Sequence, residues 1–277
     1  MCEECGCGEG AVPRFSFGSE HAHEHEHAHE HGHGHGHGHG HGHGHEHEHE
    51  HEHERGPTEL IEVARPLLAR NDEAAARNRA WLAERGVLAL NLVSSPGAGK
   101  TTLLERTVRA LSARTEVCAI EGDQETSHDA ERLRATGCRV VQINTGTGCH
   151  LDAPMVARAL EALAPGRGAL VLIENVGNLV CPALFDLGEA ARVVVASLPE
   201  GEEKPLKYPH MFRSSQLMLL NKLDLAPYLD FDLERCLAYA RAANPDLQVL
   251  QVSARSGAGL DAWYAWIEAR RREGLEP

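Results

Sequence analysis

The chain has 277 residues, with 27 Lys and Arg against 41 Asp and Glu, and a net charge of −14. Residues 1–54 hold twelve Glu and one Arg, −11 in all, so residues 55–277 carry only −3 and offer no basic face for nucleic acid. No run approaches the roughly 18 apolar residues of a membrane span, and MCEECGCGEG has neither the basic nor the apolar part of a signal peptide. A cytoplasmic protein without membrane partners is expected, its eight cysteines kept as thiols.

In chain order, residues 1–19 form a cysteine-bearing metal-binding segment. Cys2, Cys5 and Cys7 place three thiols within six residues. With the N-terminal amine they suit square-planar Ni(II) or Cu(II), while the CxxC spacing also suits zinc or redox exchange. A zinc ribbon would need a second CxxC, which is missing.

Residues 20–54 are a low-complexity tract expected to be disordered without metal, because almost nothing in it is apolar. Its imidazoles stand at every second position: His21, His23, His25, His27, His29, His31, His33, His35, His37, His39, His41, His43, His45, His47, His49, His51 and His53. In extended chain this spacing puts neighbouring imidazoles on one side about 7 Å apart, and imidazole suits Zn, Cu, Ni and Fe. Each captured ion must order flexible backbone, so many labile sites are expected rather than one tight site. Binding requires neutral imidazole, so acid releases metal.

Residues 55–86 read as a helical lead-in, with a break or kink suggested by Pro66 and Asn71-Asp72. Beyond Gly86, short apolar runs alternate with amphipathic helices. Strands are predicted over 88–93, 117–121, 139–143, 170–174, 192–197, 217–221 and 248–252, and helices over 101–113, 128–136, 153–163, 233–244 and 259–271. The strands lack strict alternation and are therefore buried on both faces. This argues for an α/β fold with a doubly wound, mostly parallel sheet over 87–277, its ligand at the carboxyl ends of the strands.

The first of these strands runs into Ser94-Ser95-Pro96-Gly97-Ala98-Gly99-Lys100-Thr101-Thr102 and then a helix. This is the phosphate loop GxxxxGK[ST] in its strand–loop–helix setting, with Ser94 where the first Gly is usual. Backbone amides of residues 97–102 and the helix start should face the phosphates. Lys100 should reach the β- and γ-phosphates, and the Thr101 hydroxyl a Mg²⁺ ion. Asn221-Lys222-Leu223-Asp224 resembles the NKxD guanine motif: the Asp224 carboxylate can accept from N1–H and the 2-amino group, donors that adenine lacks. Ser253-Ala254 resembles the segment whose amide meets the guanine oxygen. GTP is favoured over ATP.

Two acidic strand ends lie between these motifs. Asp123, closing Glu121-Gly122-Asp123, is a candidate for Mg²⁺ coordination or for positioning the attacking water, and Glu174 for outer contact with Mg²⁺. No Gln obviously orients water and no arginine finger can be assigned, so slow turnover is expected. Cys149-His150 and Cys181 lie in loops at the same sheet edge, and form a second soft-ligand set, one short of a closed tetrahedral zinc site. Metal there would bias the loops that γ-phosphate biases, coupling metal affinity to nucleotide state.

Taken together, CEECGC, the histidine tract, SSPGAGKTT, EGDQET, Cys149-His150, ENVGNLVCP, EGEEKPLKYP and NKLD resemble the HypB family of hydrogenase nickel-incorporation GTPases over nearly the whole chain. The resemblance implies a P-loop, SIMIBI-class G domain that forms a homodimer with GTP and hydrolyses GTP to GDP slowly. It also implies nickel loading into [NiFe] hydrogenase, with other maturation factors and the hydrogenase large subunit as partners. Cys2, Cys5 and Cys7 would then form a tight nickel site, and Cys149, His150 and Cys181 a weaker Ni²⁺/Zn²⁺ site. Lys204 and Lys207 would reach the partner subunit or its nucleotide. Two other readings stand beside this one: a GTPase similar to the urease-maturation protein UreG, and a nickel or zinc storage protein whose G domain is regulatory.

Overall fold

Residues 14–16 and 57–273 are described by the computed structural model. Cys2, Cys5, Cys7 and the histidines from His21 to His53 lie outside the described residues. The elements are β1 (Arg14–Ser16), α1 (Pro57–Glu84), β2 (Leu88–Ser94), α2 (Lys100–Leu111), β3 (Val117–Asp123), α3 (His128–Arg134), β4 (Arg139–Asn144), α4 (Ala153–Leu163), β5 (Leu170–Glu174), β6 (Ala191–Ser197), α5 (Lys204–Lys207), α6 (Pro209–Arg213), β7 (Leu217–Asn221), α7 (Leu233–Ala243), β8 (Gln248–Gln251) and α8 (Leu260–Glu273).

The strands form one sheet in the order β1-β4-β3-β5-β2-β6-β7-β8. Seven are parallel, and β1 alone runs antiparallel along β4. Residues of one strand feed alternate faces. From β2, Leu90 and Leu92 join α2 and α8 through Leu103, Leu104 and Trp263, whereas Ala89 joins α4 through Ile120, Val171 and Leu160. Each fully buried Leu, Ile or Val contributes about 1.5–3 kcal/mol, so the two layers stabilise the central strands from both sides. Trp263 is fully buried, and its indole donates to Thr107 Oγ1 at 2.9 Å. Among the described residues no helix is long and apolar enough to cross a membrane.

Helix α1 departs from expectation: it runs through Pro66 and Asn71-Asp72 without a break. Tertiary partners override the local preference of Asn for caps and turns. Buried Asn71 donates to the Asp186 carbonyl at 2.8 Å and accepts from the Ala153 amide at 2.9 Å. Asn78 donates to Ala153 and Leu187, each at 2.9 Å. Sequence patterning also missed β1, the two short helices α5 and α6, each with Pro in its first turn, and a 3-10 turn over Cys181–Ala183.

The parallel order puts the carboxyl ends of β2 to β7 on one edge, and those ends are Ser94, Asp123, Asn144, Glu174, Ser197 and Asn221. Strands that are otherwise almost wholly apolar therefore finish in polar residues along a single rim, where ligands of doubly wound sheets bind.

Candidate functional site

The phosphate loop bounds a cleft of ≈ 520 Å³, with Glu121, Asp123, Asp129, Arg132, Glu174 and Gly177 on its other walls. Gly99 stands at φ +99°, a backbone conformation that side chains disfavour, and a Cβ there would lie 2.6 Å from Asn221 Nδ2. That close approach lets the Asn221 side chain donate to the Ala98 carbonyl at 2.8 Å, while Lys222 Nζ donates to the Gly97 carbonyl at 2.7 Å. Asn221 and Lys222 thus brace the loop from behind. Asn221 Oδ1 also accepts from the Ala254 amide at 2.9 Å, and the Ser253 hydroxyl donates to Asp224. The structure brings Asn221, Lys222, Asp224, Ser253 and Ala254 together beside Gly97 and Ala98, with Asp224 held by Ser253.

Helix α2 begins at Lys100, so its positive end and the amides of Lys100, Thr101 and Thr102 open toward the cleft. Lys100 Nζ donates to Ser94 Oγ at 2.8 Å, so the serine in place of the usual glycine holds the lysine. Burial pushes the Lys100 ammonium down, opposed by Glu174, Asp129, Glu121 and Glu200. Thr101 Oγ1 donates to Glu174 Oε1 at 2.7 Å.

The β3–β5 register places Glu121 directly beside Glu174. Both are buried, and among the described residues Glu121 Oε2 and Glu174 Oε2 lack a hydrogen-bond partner. Burial, then the neighbouring carboxylates, raises Glu121 to about 9; burial, partly offset by Lys100 and Thr101, raises Glu174 to about 7. Burial pushes Asp123 up, but the hydroxyl and amide of Thr126 outweigh it and leave that carboxyl below its ordinary range. Orphaned carboxylate oxygens beside a threonine hydroxyl are a donor set that fits a hard divalent cation.

Glu121, Asp129, Arg132 and Asn175 escaped the sequence reading. Glu121 had a signal, an acidic residue ending an apolar strand, but its partner Glu174 is 53 positions away and only strand order joins them. Arg132 faces the cleft from α3, and donates to Thr102 Oγ1 at 3.0 Å while pairing with Glu105 at 2.7 Å and Asp129 at 3.1 Å. Lys204 turns toward its own phosphate loop, donating to Ser95 Oγ at 3.0 Å and pairing with Glu200 at 3.3 Å. Lys207 stays exposed and pairs with Glu203 at 3.1 Å.

The three soft ligands expected along the same edge converge. One ligand atom from each of Cys149, His150 and Cys181 lies within 4.8 Å of the others, with Cys149 half-buried and the other two buried. Cys149 Sγ is 3.7 Å from His150 Nδ1. Burial pushes His150 down to about 4, leaving a neutral imidazole with a lone pair at neutral pH, and its ring lies 3.9 Å from that of Phe185. Asn178 donates to the Cys149 carbonyl at 3.3 Å, linking one ligand loop to the segment after Glu174.

A family model described as CobW/HypB/UreG, nucleotide-binding domain, matches residues 88–251. The hydrogenase maturation factor HypB of Azotobacter chroococcum mcd 1 is 58% identical over 214 residues, covering 77% of this chain and 70% of that protein. HypB of Escherichia coli K12 is 55% identical over 212 residues, covering 76% and 73%. Among solved structures, HypB from Helicobacter pylori in complex with nickel superposes with a TM-score of 0.69 at 34% identity, covering 75% of this chain and 98% of that one. HypB from Archaeoglobus fulgidus gives 0.69 at 37% identity, covering 73% and 99%. With these strand-end motifs in a nucleotide-binding domain, and with hydrogenase maturation factors matching about three quarters of its full length, the chain belongs to the HypB family of hydrogenase maturation factors.

Proposed function

We propose that this chain is a GTP-hydrolysing nickel metallochaperone, in which nucleotide state governs dimerisation and the transfer of nickel during [NiFe] hydrogenase maturation. The observation that carries the reading is the convergence of Cys149, His150 and Cys181 on loops continuous with the walls of the phosphate cleft. Two thiolates and a neutral imidazole suit Ni²⁺ or Zn²⁺, and water or the second subunit of a homodimer completes the set. The nickel held by the Helicobacter pylori relative supports nickel as the cargo.

In this reading the amides of residues 97–102 and the start of α2 hold the phosphates, and Lys100 neutralises charge developing on the β- and γ-oxygens. Asp224 accepts from N1–H and the 2-amino group of guanine, with Asn221, Lys222, Ser253 and Ala254 fixing its frame. Thr101 and Asp123 would hold Mg²⁺, with Glu174 in outer contact through the Thr101 hydroxyl, and the ion would supply charge neutralisation on the phosphates. Arg132 borders the cleft but is committed to Glu105 and Asp129, so turnover is slow. Cys2, Cys5 and Cys7 form a tight nickel site, and the seventeen tract histidines a labile reserve.

The test follows nickel leaving the loaded full-length chain for a chelator in the presence of GDP, GTP and a non-hydrolysable analogue. Release is expected to depend on nucleotide, and the dependence to vanish in a Cys149→Ala, Cys181→Ala double variant. Release indifferent to nucleotide would overturn the metallochaperone reading and favour a storage protein with a G domain.

A further inference from the structure

A chain of buried polar side chains crosses the core between the phosphate cleft and the soft-ligand loops. Asn175 follows Glu174, whose carboxylate takes the Thr101 hydroxyl, and precedes Gly177 by two residues. A Cβ at Gly177 would lie 3.1 Å from Pro96 of the phosphate loop, so this segment is seated directly against that loop. Asn175 is 1% exposed and faces two ways. Its Oδ1 accepts from the Leu151 amide at 3.2 Å, immediately after the ligand pair Cys149-His150. Its Nδ2 donates to Asn91 Oδ1 at 3.2 Å.

Asn91, fully buried in the middle of β2, donates in turn to Glu189 Oε1 at 3.0 Å. Glu189 is paired with Arg192 at 3.1 Å, both side chains almost wholly out of solvent. The guanidinium then fans out over the other ligand loop, donating to the Phe185 carbonyl at 2.7 Å and the Ala183 carbonyl at 3.1 Å. Phe185 carries the ring against His150, and Ala183 closes the 3-10 turn that begins at Cys181. One end of the chain therefore grips the backbone beside Cys149 and His150, and the other grips the backbone beyond Cys181. A polar chain of this kind is an odd filling for an α/β core: an apolar replacement of similar volume is often neutral or stabilising, while a half-satisfied network is costly.

We propose that Asn91, Glu189 and Arg192 are positioning residues that tie both halves of the soft-ligand set to Asn175, so that a displacement of Asn175 with nucleotide state is delivered to Cys149-His150 and to Cys181 together. This rests on the nucleotide-controlled metal binding proposed above and names its internal route. The bonds from Asn175 to Leu151 and to Asn91 make it the branch point: a shift at the cleft pulls the Leu151 amide directly and moves Phe185 and Ala183 through Asn91, Glu189 and Arg192. A route of packed contacts is established only by a coupling measurement.

The coupling is read from the nucleotide side, where metal held by the tail does not interfere. By linkage, nickel that binds one nucleotide state better shifts nucleotide affinity by the same factor. Affinities of the full-length chain for GDP and for a non-hydrolysable GTP analogue are measured with and without saturating Ni²⁺, and the change in their ratio is the readout. In the parent chain the ratio is expected to change by about 5-fold or more, and Cys181→Ala to abolish the change, assigning it to this site. Asn91→Leu and Arg192→Lys are expected to reduce it below about 2-fold while leaving the metal-free ratio near that of the parent, a pattern that a merely structural role would not produce. Arg192→Lys keeps a cation beside Glu189 and decides the matter if circular dichroism shows Asn91→Leu to be unfolded. Folded variants that keep the parent's full nickel-induced change would overturn the relay alone. A parent chain whose ratio ignores nickel would overturn the nucleotide–metal coupling itself, and the relay with it.

Discussion

The phosphate cleft and the soft-ligand set share one edge of the sheet, yet they are built in opposite ways. The cleft is assembled from the ends of strands and the start of a helix: Ser94, Glu121 and Glu174 stand on β2, β3 and β5, and Lys100 and Thr101 open α2. Its charges are fixed by the most buried part of the molecule. Cys149, His150 and Cys181 instead sit on connections, one in the segment before α4 and one in a single 3-10 turn. Loops of this kind open locally more easily than core strands. In the function proposed above, the strand-end site would read the nucleotide and the loop-borne site would hold the metal, an arrangement that would let one act on the other.

The largest effect expected falls on the rigid side. Lys100→Ala removes the cation held by Ser94 at the phosphate loop, and should lower kcat for GTP by about 10²–10³-fold, measured as phosphate release. A loss of less than tenfold would mean that the helix start alone carries the charge. Next comes base selection. Asp224→Asn should cost about 1.5–3 kcal/mol of guanine binding, or roughly 10–100-fold, and narrow the preference for GTP over ATP. Unchanged discrimination would show that the NKLD segment only braces the loop through Asn221 and Lys222.

A third test concerns the orphaned carboxylates in the absence of nucleotide and metal. With its folded pKa raised to about 9, Glu121 stays protonated in the fold after it has ionised in the unfolded chain. Nothing is lost below the unfolded value near 4.5; stability then falls as pH rises, by at most about 1.4 kcal/mol per pH unit. Glu121→Gln should therefore be more stable than the parent at pH 8 and nearly equal at pH 4.5, by chemical denaturation. Equal stability at both pH values would mean that Glu121 is ionised in the fold, and the cleft less dry than its burial implies.

The same contrast explains which parts were legible beforehand. SSPGAGKTT and NKLD are local motifs, so their strand–loop–helix setting could be read directly, and the seven parallel strands announced themselves as apolar runs. What required the fold were the lateral relations: Glu121 against Glu174 and Asn91 against Arg192 are neighbours across strands in register, separated by tens of residues. Asn71 misled for a related reason. Its local preference for ending helices gave way to bonds with Asp186 and Ala153, elements far away in sequence. Cys149, His150 and Cys181 were legible as candidates because parallel strands share an edge, although their approach to within 4.8 Å depends on the loops.

The smallest effect expected on hydrolysis, and the one that most sharply separates reserve from machine, comes from deleting residues 20–54. The tract supplies seventeen of the chain's twenty histidines, so the deletion should remove most of the weakly held nickel found by equilibrium dialysis. GTP turnover should stay within about 2-fold of the parent, because every group assigned to the cleft lies beyond residue 90 and its hydrogen bonds close within that region. An almost wholly polar, low-complexity composition favours many weak metal sites over a defined contact with the cleft. A deletion that slowed turnover severalfold would require the tract to touch the loops at the sheet edge, and nickel would then be handed from reserve to Cys149, His150 and Cys181 by direct contact rather than through solution.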